Sequence, residues 1–104
     1  MNRGDIYRVR LAPTRGHEQS GPRYAVVVQA TELLELSTAI VAPTSTRAAP
    51  ATFRPEIELF DQVTRVLVEQ LRVVDVQRLG DLAGHLTAAE QHAVDDALTL
   101  VLDL

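Results

Sequence analysis

The side chains best suited to chemistry are oxygen and nitrogen groups in three stretches of the sequence. Cysteine is absent, which excludes disulfides, a thiolate nucleophile and cysteine-ligated zinc or iron–sulfur sites. Arg23 stands between a long loop and an apolar run, where a fixed backbone would hold its guanidinium as a clamp for phosphate. The alternative for Arg23 is a surface salt bridge.

Three consecutive hydroxyl side chains, Thr44, Ser45 and Thr46, follow a β-rich segment and Pro43. A hydroxyl at a strand end can donate to a phosphate oxygen or orient an attacking group without being the nucleophile. Serine and threonine also collect at such places through turn chemistry and β-propensity. The residues alone therefore leave all three hydroxyls open as candidates.

The loop before Arg23 contains His17, Glu18 and Gln19. A histidine titrates near about 6.5, so His17 could shuttle a proton near neutral pH, and Glu18 could orient His17 or Arg23. A solvated loop pair is the alternative. His85 and His92 lack partners at metal-ligand spacing, so we assign them to structure or solvent and predict no metal site.

A second polar pair, Glu69 and Gln70, follows the apolar run 66–68. A charged residue therefore appears where the strand could otherwise stay apolar. One explanation is an edge-strand charge that blocks aggregation.

The charge distribution is uneven. The net charge is −4, which argues against a protein that coats nucleic acid by bulk electrostatics. All ten basic residues are arginines within residues 3–78, alongside nine acidic residues, whereas residues 79–104 carry five acids and no base. Because arginine suits bidentate phosphate recognition, the pattern is compatible with local phosphate binding on an acidic protein.

Hydrophobic patterning predicts one domain spanning residues 1–104, mainly β with a C-terminal helix. Residues 31–36 should form one or two helical turns, and 12–22 a long loop, mobile over 13–22. Strands are predicted at 6–11, 24–29, 38–42, 53–59 and 63–68, with a short one at 71–74.

Several signals predict where these elements begin and end. Pro43 should stop the third strand, residues 60–62 should form a hairpin turn, and Asp75 should cap a turn that ends at Gln77. Thr87 and Glu90 form a capping box that predicts a helix from about 88 to 102. Its apolar face should pack on a small barrel through these residues: Val94, Ala97, Leu98, Val101 and Leu102.

Several segments, taken in order, resemble the MazF/PemK toxin family. They are RGDIY at 3–7, PTRGHEQ at 13–19, GPRYAVV at 21–27, TAIVAPTS at 38–45, VEQLR at 68–72 and LDL at 102–104. One departure is that Pro22 precedes Arg23, whereas the family usually has proline after the arginine. The resemblance covers nearly the whole chain.

The resemblance implies an SH3-like β-barrel of the CcdB/PemK toxin fold and a homodimer inhibited by a cognate antitoxin. It implies sequence-selective, metal-independent cleavage of single-stranded RNA by 2′-hydroxyl attack, leaving 2′,3′-cyclic phosphate and 5′-hydroxyl ends, with no cofactor. The implied catalytic residues are Arg23, Ser45, His17 and Glu18, with Ser45 at the family's catalytic threonine. The implied substrate contacts are Gln19, Thr44, Thr46, Glu69 and Gln70.

Two other functions remain open: a CcdB-like toxin that poisons gyrase by protein contact, and a non-catalytic RNA-binding barrel. Only four aromatic residues are available for base stacking, which weakens the second. No apolar run reaches the length needed to span a bilayer, and the first residues lack a secretory pattern. We therefore expect a cytoplasmic protein without a membrane partner.

Overall fold

A run of seven β-strands dominates the computed structural model, which describes residues 1–11 and 21–104. The strands are β1 Asp5–Leu11, β2 Gly21–Val27, β3 Thr38–Ser45, β4 Glu56–Leu59, β5 Gln62–Val66, β6 Arg72–Asp75 and β7 Leu79–His85. Short 3-10 helices occupy Thr31–Leu33, Val68–Gln70 and Val76–Arg78. One α-helix, α1, spans Ala88–Leu102 in the described part.

The strand β3 organises the sheet because it has three antiparallel partners. Its middle pairs with β2, its first half also pairs with β6, and its last two residues pair with β5. The strand order is β4-β5-β3-β2-β1-β7, with β6 beside β3. This exchange of partners curls the sheet into a half-barrel, as expected for the barrel and helix that the sequence predicts.

The sheet is apolar on both faces, and α1 covers one of them. Val26 of β2 and Val28 just after it belong to the cluster that also contains Val94 and Leu98 of the helix. The alternating residues Ala25 and Val27 belong to a second cluster with residues of β1, β3 and β6. This two-sided burial explains why the centre of β2 reads as a continuous apolar run.

The helix begins where its capping box predicts. Thr87 Oγ1 accepts from the Glu90 amide at 3.1 Å, and Glu90 Oε1 accepts from the Thr87 amide at 2.9 Å. The other carboxylate oxygen of Glu90 accepts from the Glu58 amide at 2.8 Å, so this residue also fixes the helix to β4. No helix in the described residues combines the length and apolarity needed to cross a membrane.

The prediction that β3 stops before Pro43 is wrong. The strand continues to Ser45, and the Pro43 carbonyl accepts from the Leu67 amide at 2.8 Å. On that side β3 pairs with β6 up to Val41 and with β5 from Thr44 onward. The missing N–H of Pro43 therefore falls in the gap between two partners, where no ladder bond is lost.

Other boundaries differ by a few residues. β2 begins at Gly21, inside the predicted loop, and ends at Val27. β4 begins only at Glu56. The segment before it forms a turn, in which the Arg54 amide donates a hydrogen bond to the Ala51 carbonyl, and Pro55 follows this turn. β5 ends at Val66, and the residues after it enter the 3-10 helix.

The turns and the helix face agree with the predictions in part. The hairpin turn is Phe60 and Asp61 alone, since Gln62 already pairs with Leu59. Asp75 caps the next 3-10 turn by accepting from the Gln77 amide at 2.8 Å, as predicted. On the helix, the predicted inner residue Leu102 is half exposed.

Thr87→Ala should lower the free energy of unfolding by about 1 kcal/mol, because it removes the oxygen that satisfies the Glu90 amide. Thermal denaturation should show a fall in Tm of roughly 4 °C. Thr99→Ala is the matched control, since the Thr99 hydroxyl only donates to the Asp95 carbonyl within the helix. Equal losses in the two variants would contradict a capping role.

Candidate functional site

Arg23 and Ser45 lie on the same face of the sheet. Ala25 pairs with Pro43 across β2 and β3, and Arg23 and Ser45 each lie two residues from that pair along their strands. Side chains two residues apart on a strand share a face. The two candidates from separate parts of the sequence therefore come to one side of the fold, and Arg23 is exposed there.

Ser45 begins a row of polar residues that crosses the neighbouring strands. It pairs directly with Arg65 of β5, and Arg65 pairs with Glu56 of β4. Directly opposed residues have Cβ atoms about 5 Å apart. Arg65 Nη2 bonds to Glu56 Oε2 at 3.0 Å, so this row contains an ion pair beside the serine.

The three hydroxyls are now distinguishable. Thr44 is only 4% exposed and donates its hydroxyl to the Tyr24 carbonyl at 2.8 Å, so its proton is already used. Ser45 is half-buried, and its Oγ accepts from the amides of Arg47 and Ala48, each at 3.1 Å. Thr46 is exposed just beyond the strand end.

The Ser45 bonds have a chemical consequence. A serine hydroxyl has one proton to donate and two lone pairs to accept with. The two backbone amides occupy the lone pairs, and the described residues give no acceptor for the proton. Ser45 can therefore donate to an anionic oxygen, whereas Thr44 cannot, since its proton is bonded to the Tyr24 carbonyl.

Two arginines hold the turn that follows Ser45. Arg65 Nη1 donates to the Ala48 carbonyl at 3.1 Å, and Arg54 Nη1 donates to the Ala49 carbonyl at 3.0 Å. Arg54 is itself fixed by Glu69, whose Oε2 accepts from Arg54 Nε at 2.8 Å. The adjacent carbonyls of Ala48 and Ala49 are therefore held by an arginine of β5 and by an arginine of the segment before β4.

The structure places Glu69 in this support. It is about three-quarters buried and bonded to Arg54, and its Oε1 is buried without a hydrogen-bond partner in the described residues. Gln70, half-buried, ends the 3-10 helix Val68–Gln70. The groove contacts expected of both residues stay predictions.

A cleft of about 240 Å³ opens beside Arg23, Ser45 and Thr46. Its other lining residues are Tyr24, Thr44, Leu59, Phe60, Gln62 and Thr64. The rings of Tyr24 and Phe60 meet edge to face, with centroids 5.2 Å apart and an interplanar angle of 67°. By strand alternation, Tyr24, Thr44 and Thr64 face the opposite side of the sheet from Arg23 and Ser45, so residues of both faces border the cleft.

The histidines and the loop residues have different outcomes. His17, Glu18 and Gln19 lie outside the described residues. His85 bonds to Asp5 at 2.6 Å, and exposed His92 lies 3.6 Å from Asp96, in line with structural or solvent roles. Within residues 1–11 and 21–104, no three histidine or acidic side chains are grouped to hold a metal ion.

Burial, and to a smaller extent the Asp5 carboxylate, raise the pKa of Tyr7 above its usual 10.0. The Tyr7 phenol is therefore protonated at neutral pH and cannot serve as a general base there.

Sequence reasoning did not identify Arg54, Arg65 or Phe60 as site residues. Arg65 alternates with buried Thr64 and Val66 along β5, and this period-2 pattern places it on the polar face. Its neighbour across the sheet, Ser45, depends on a register that the sequence alone does not reveal. Arg54 and Glu69 are 15 residues apart, so no local spacing connects them.

Arg65→Ala should loosen the Ser45 turn by removing the bond to the Ala48 carbonyl. Loss of one bond of about 1 kcal/mol should speed exchange of the Arg47 and Ala48 amides roughly five-fold, measured by NMR hydrogen exchange.

The control for that measurement is Arg3→Ala. Arg3 also makes one carbonyl bond, to Val28 at 2.8 Å, and one ion pair, to Asp95 at 2.8 Å, away from the turn. Arg3→Ala should leave the exchange rates of the Arg47 and Ala48 amides unchanged. Unaltered exchange in Arg65→Ala would show that the turn holds without this arginine.

Comparison with known proteins identifies relatives along the whole chain. A Bacillus subtilis protein, endoribonuclease EndoA, is 35% identical over 111 residues, covering 100% of this chain and 96% of its own. A Mycobacterium tuberculosis protein designated a toxin is 41% identical over 104 residues, covering 98% and 97% of the two chains.

Solved structures share the fold. MazF of Deinococcus radiodurans superposes with a TM-score of 0.87 at 21% identity, covering 100% of this chain and 97% of its own. An endoribonuclease in complex with its cognate antitoxin, from a mycobacterial species, gives 0.83 at 19% identity, covering 100% and 96%. The predicted MazF-type fold is therefore confirmed.

The family of PemK-like, MazF-like toxins of type II toxin–antitoxin systems matches residues 2–102. Together with the relative that is 41% identical over nearly the full length, this match covers every element described above. The chain belongs to the PemK-like, MazF-like toxin family.

Proposed function

We propose that this protein is the toxin of a toxin–antitoxin pair and an endoribonuclease that cleaves single-stranded RNA in the cytoplasm. The observation that carries the proposal is the shared face of Arg23 and Ser45 beside an open cleft, with the Ser45 proton left available. An arginine and a hydroxyl donor are groups that can stabilise the charge on the phosphate oxygens in the transition state of phosphodiester cleavage.

The reaction requires no added water or metal in its first step. The RNA 2′-oxygen attacks the adjacent phosphorus, the bond from phosphorus to the 5′-oxygen breaks, and a 2′,3′-cyclic phosphate remains. The 2′-hydroxyl loses its proton to a base, and the departing 5′-oxygen gains one. In this proposal His17 and Glu18 carry these protons, because imidazole and carboxylate can exchange them near neutral pH.

Arg23 and Ser45 act on the charge that builds up on the non-bridging oxygens. The guanidinium neutralises it, and the serine hydroxyl donates to one of the oxygens. The fixed turn supports Ser45 in this role, because a donor already oriented by the protein needs no reorganisation during the reaction. Gln19, Thr44, Thr46, Glu69 and Gln70 remain the expected substrate contacts. The Thr44 hydroxyl can contribute only as an acceptor, since its proton is bonded to the Tyr24 carbonyl.

We further propose a homodimer with a cognate antitoxin as its inhibitor. The mycobacterial endoribonuclease and the Deinococcus MazF have each been solved with an antitoxin partner, which supports a partner of this kind here. A two-fold dimer would place two copies of the cleft along one longer groove, which a single small chain does not provide.

The chemistry can be tested with purified protein and a mixed-sequence RNA in excess EDTA. We expect cleavage to continue and to leave 5′-hydroxyl ends that polynucleotide kinase can label, since 2′-oxygen attack needs no metal-bound water. Replacement of the nucleotide 5′ to the cut by its 2′-deoxy form is the control and should stop the reaction. Inhibition by EDTA, or 5′-phosphate products, would refute this mechanism.

Variants of the two proposed groups test their roles. Arg23→Ala and Ser45→Ala should each lower kcat by roughly 10²- to 10³-fold, the effect of losing one preorganised donor to a developing oxyanion. Ser37→Ala, one residue before β3, is the control for serine loss and should cleave normally. Full activity of Ser45→Ala would assign the hydroxyl to another residue.

A further inference from the structure

The hairpin between β4 and β5 places an aromatic side chain where backbone conformation disfavours it. Phe60 and Asp61 have φ angles of 52° and 60°, in the left-handed region. Two-residue hairpin turns with both central φ angles positive normally contain asparagine, aspartate or glycine. Phenylalanine at the first position is strained, and strain of this kind is found where a side chain has a function.

Core packing does not explain Phe60. The residue is 63% exposed, although it follows Leu59, which is buried among the core residues. Its ring contacts the half-buried Tyr24 edge to face, with centroids 5.2 Å apart. The aromatic pair therefore forms a wall of the 240 Å³ cleft and leaves ring surface open to solvent.

Polar groups face the cleft beside this wall. Gln62 and Thr64 share a face of β5 because they are two residues apart, and both line the cleft. Gln62 is exposed, and its amide offers donors and an acceptor in one plane. An aromatic surface with an amide beside it is suited to a flat heterocycle that stacks and forms edge hydrogen bonds.

The size and position of the cleft define the ligand further. Its volume is below the roughly 300 to 1,000 Å³ of sites for drug-sized molecules, so it suits a single ring system. The same cleft is lined by Arg23 and Ser45. A ring held against Phe60 would therefore belong to a nucleotide next to the phosphate that those two residues bind.

We infer that the cleft is a nucleobase subsite in which Phe60 stacks on a base flanking the scissile phosphate and Gln62 contacts its edge. The inference rests on the proposed function and adds a determinant of sequence selectivity to it. The strained turn then has a purpose, because it directs the ring toward the cleft rather than into the core.

Phe60→Gly separates stability from recognition. Glycine relieves the positive φ, so Tm should stay within a few degrees of wild type or rise. Binding of an RNA oligonucleotide that spans a mapped cut, protected by one 2′-deoxynucleotide, should weaken roughly 5- to 150-fold by fluorescence anisotropy, the range for losing one stacked base. Phe60→Tyr keeps the ring face and should restore binding.

Asp61→Gly is the matched control. Asp61 is the other turn residue with a positive φ, 60°; it is exposed, and it is not among the residues that line the cleft. Because the change also removes a negative charge, this variant should bind RNA at least as tightly as wild type does. Equal losses in Asp61→Gly and Phe60→Gly would overturn the subsite by showing a general effect on the hairpin.

Abasic substitution identifies the base. Removing bases one at a time from the protected RNA should reveal one position, next to the cut, at which wild type and Phe60→Gly bind equally. A penalty that persists at every position, or Phe60→Gly binding as tightly as wild type, overturns the subsite while leaving RNA cleavage intact. A wild-type protein that neither cuts nor binds RNA would instead refute the proposed function.

Discussion

The transfer of β3 from one partner to another is the constraint on which the site depends. Up to Val41 the strand pairs with β6, from Val41 to Pro43 it pairs with β2, and from Thr44 onward it pairs with β5. Pro43 lies at the transfer, where its missing N–H costs no ladder bond. Because β2 and β5 both pair with β3 within a few residues, Arg23 of β2 and Arg65 of β5 both come beside Ser45.

That exchange leaves a turn beyond Ser45 that must be fixed by side chains. Arg54 and Arg65 supply the bonds, and Glu69 and Glu56 hold the two guanidiniums. A loop that bears a catalytic hydroxyl otherwise loses orientation, and a small misplacement costs much of the rate. The buried charge at Glu69 is therefore better understood as support for the turn than as an edge-strand charge.

The sequence predicts the local parts of this fold well. The capping box of Thr87 and the alternation of buried and exposed residues in β1 depend on neighbours in the chain, so the sequence alone predicts both. The end of β3 could not be predicted in this way, because a proline stops a strand only where its missing N–H would have faced a hydrogen-bond partner on a neighbouring strand. Register is also non-local, which is why Ser45 could be proposed while Arg65, directly opposite it, could not.

Charge placement explains how an acidic chain can bind an anion. Arg3, Arg54 and Arg65 are bonded to carboxylates and serve the architecture, whereas Arg8, Arg10 and Arg23 are exposed on the β1–β2 pair. Residues 79–104, which include the helix, carry five acids and no lysine or arginine, and of these acids Asp95 is paired with Arg3. Affinity for a polyanion must then come from a few local contacts rather than net charge, so few counterions would be released and base contacts gain importance.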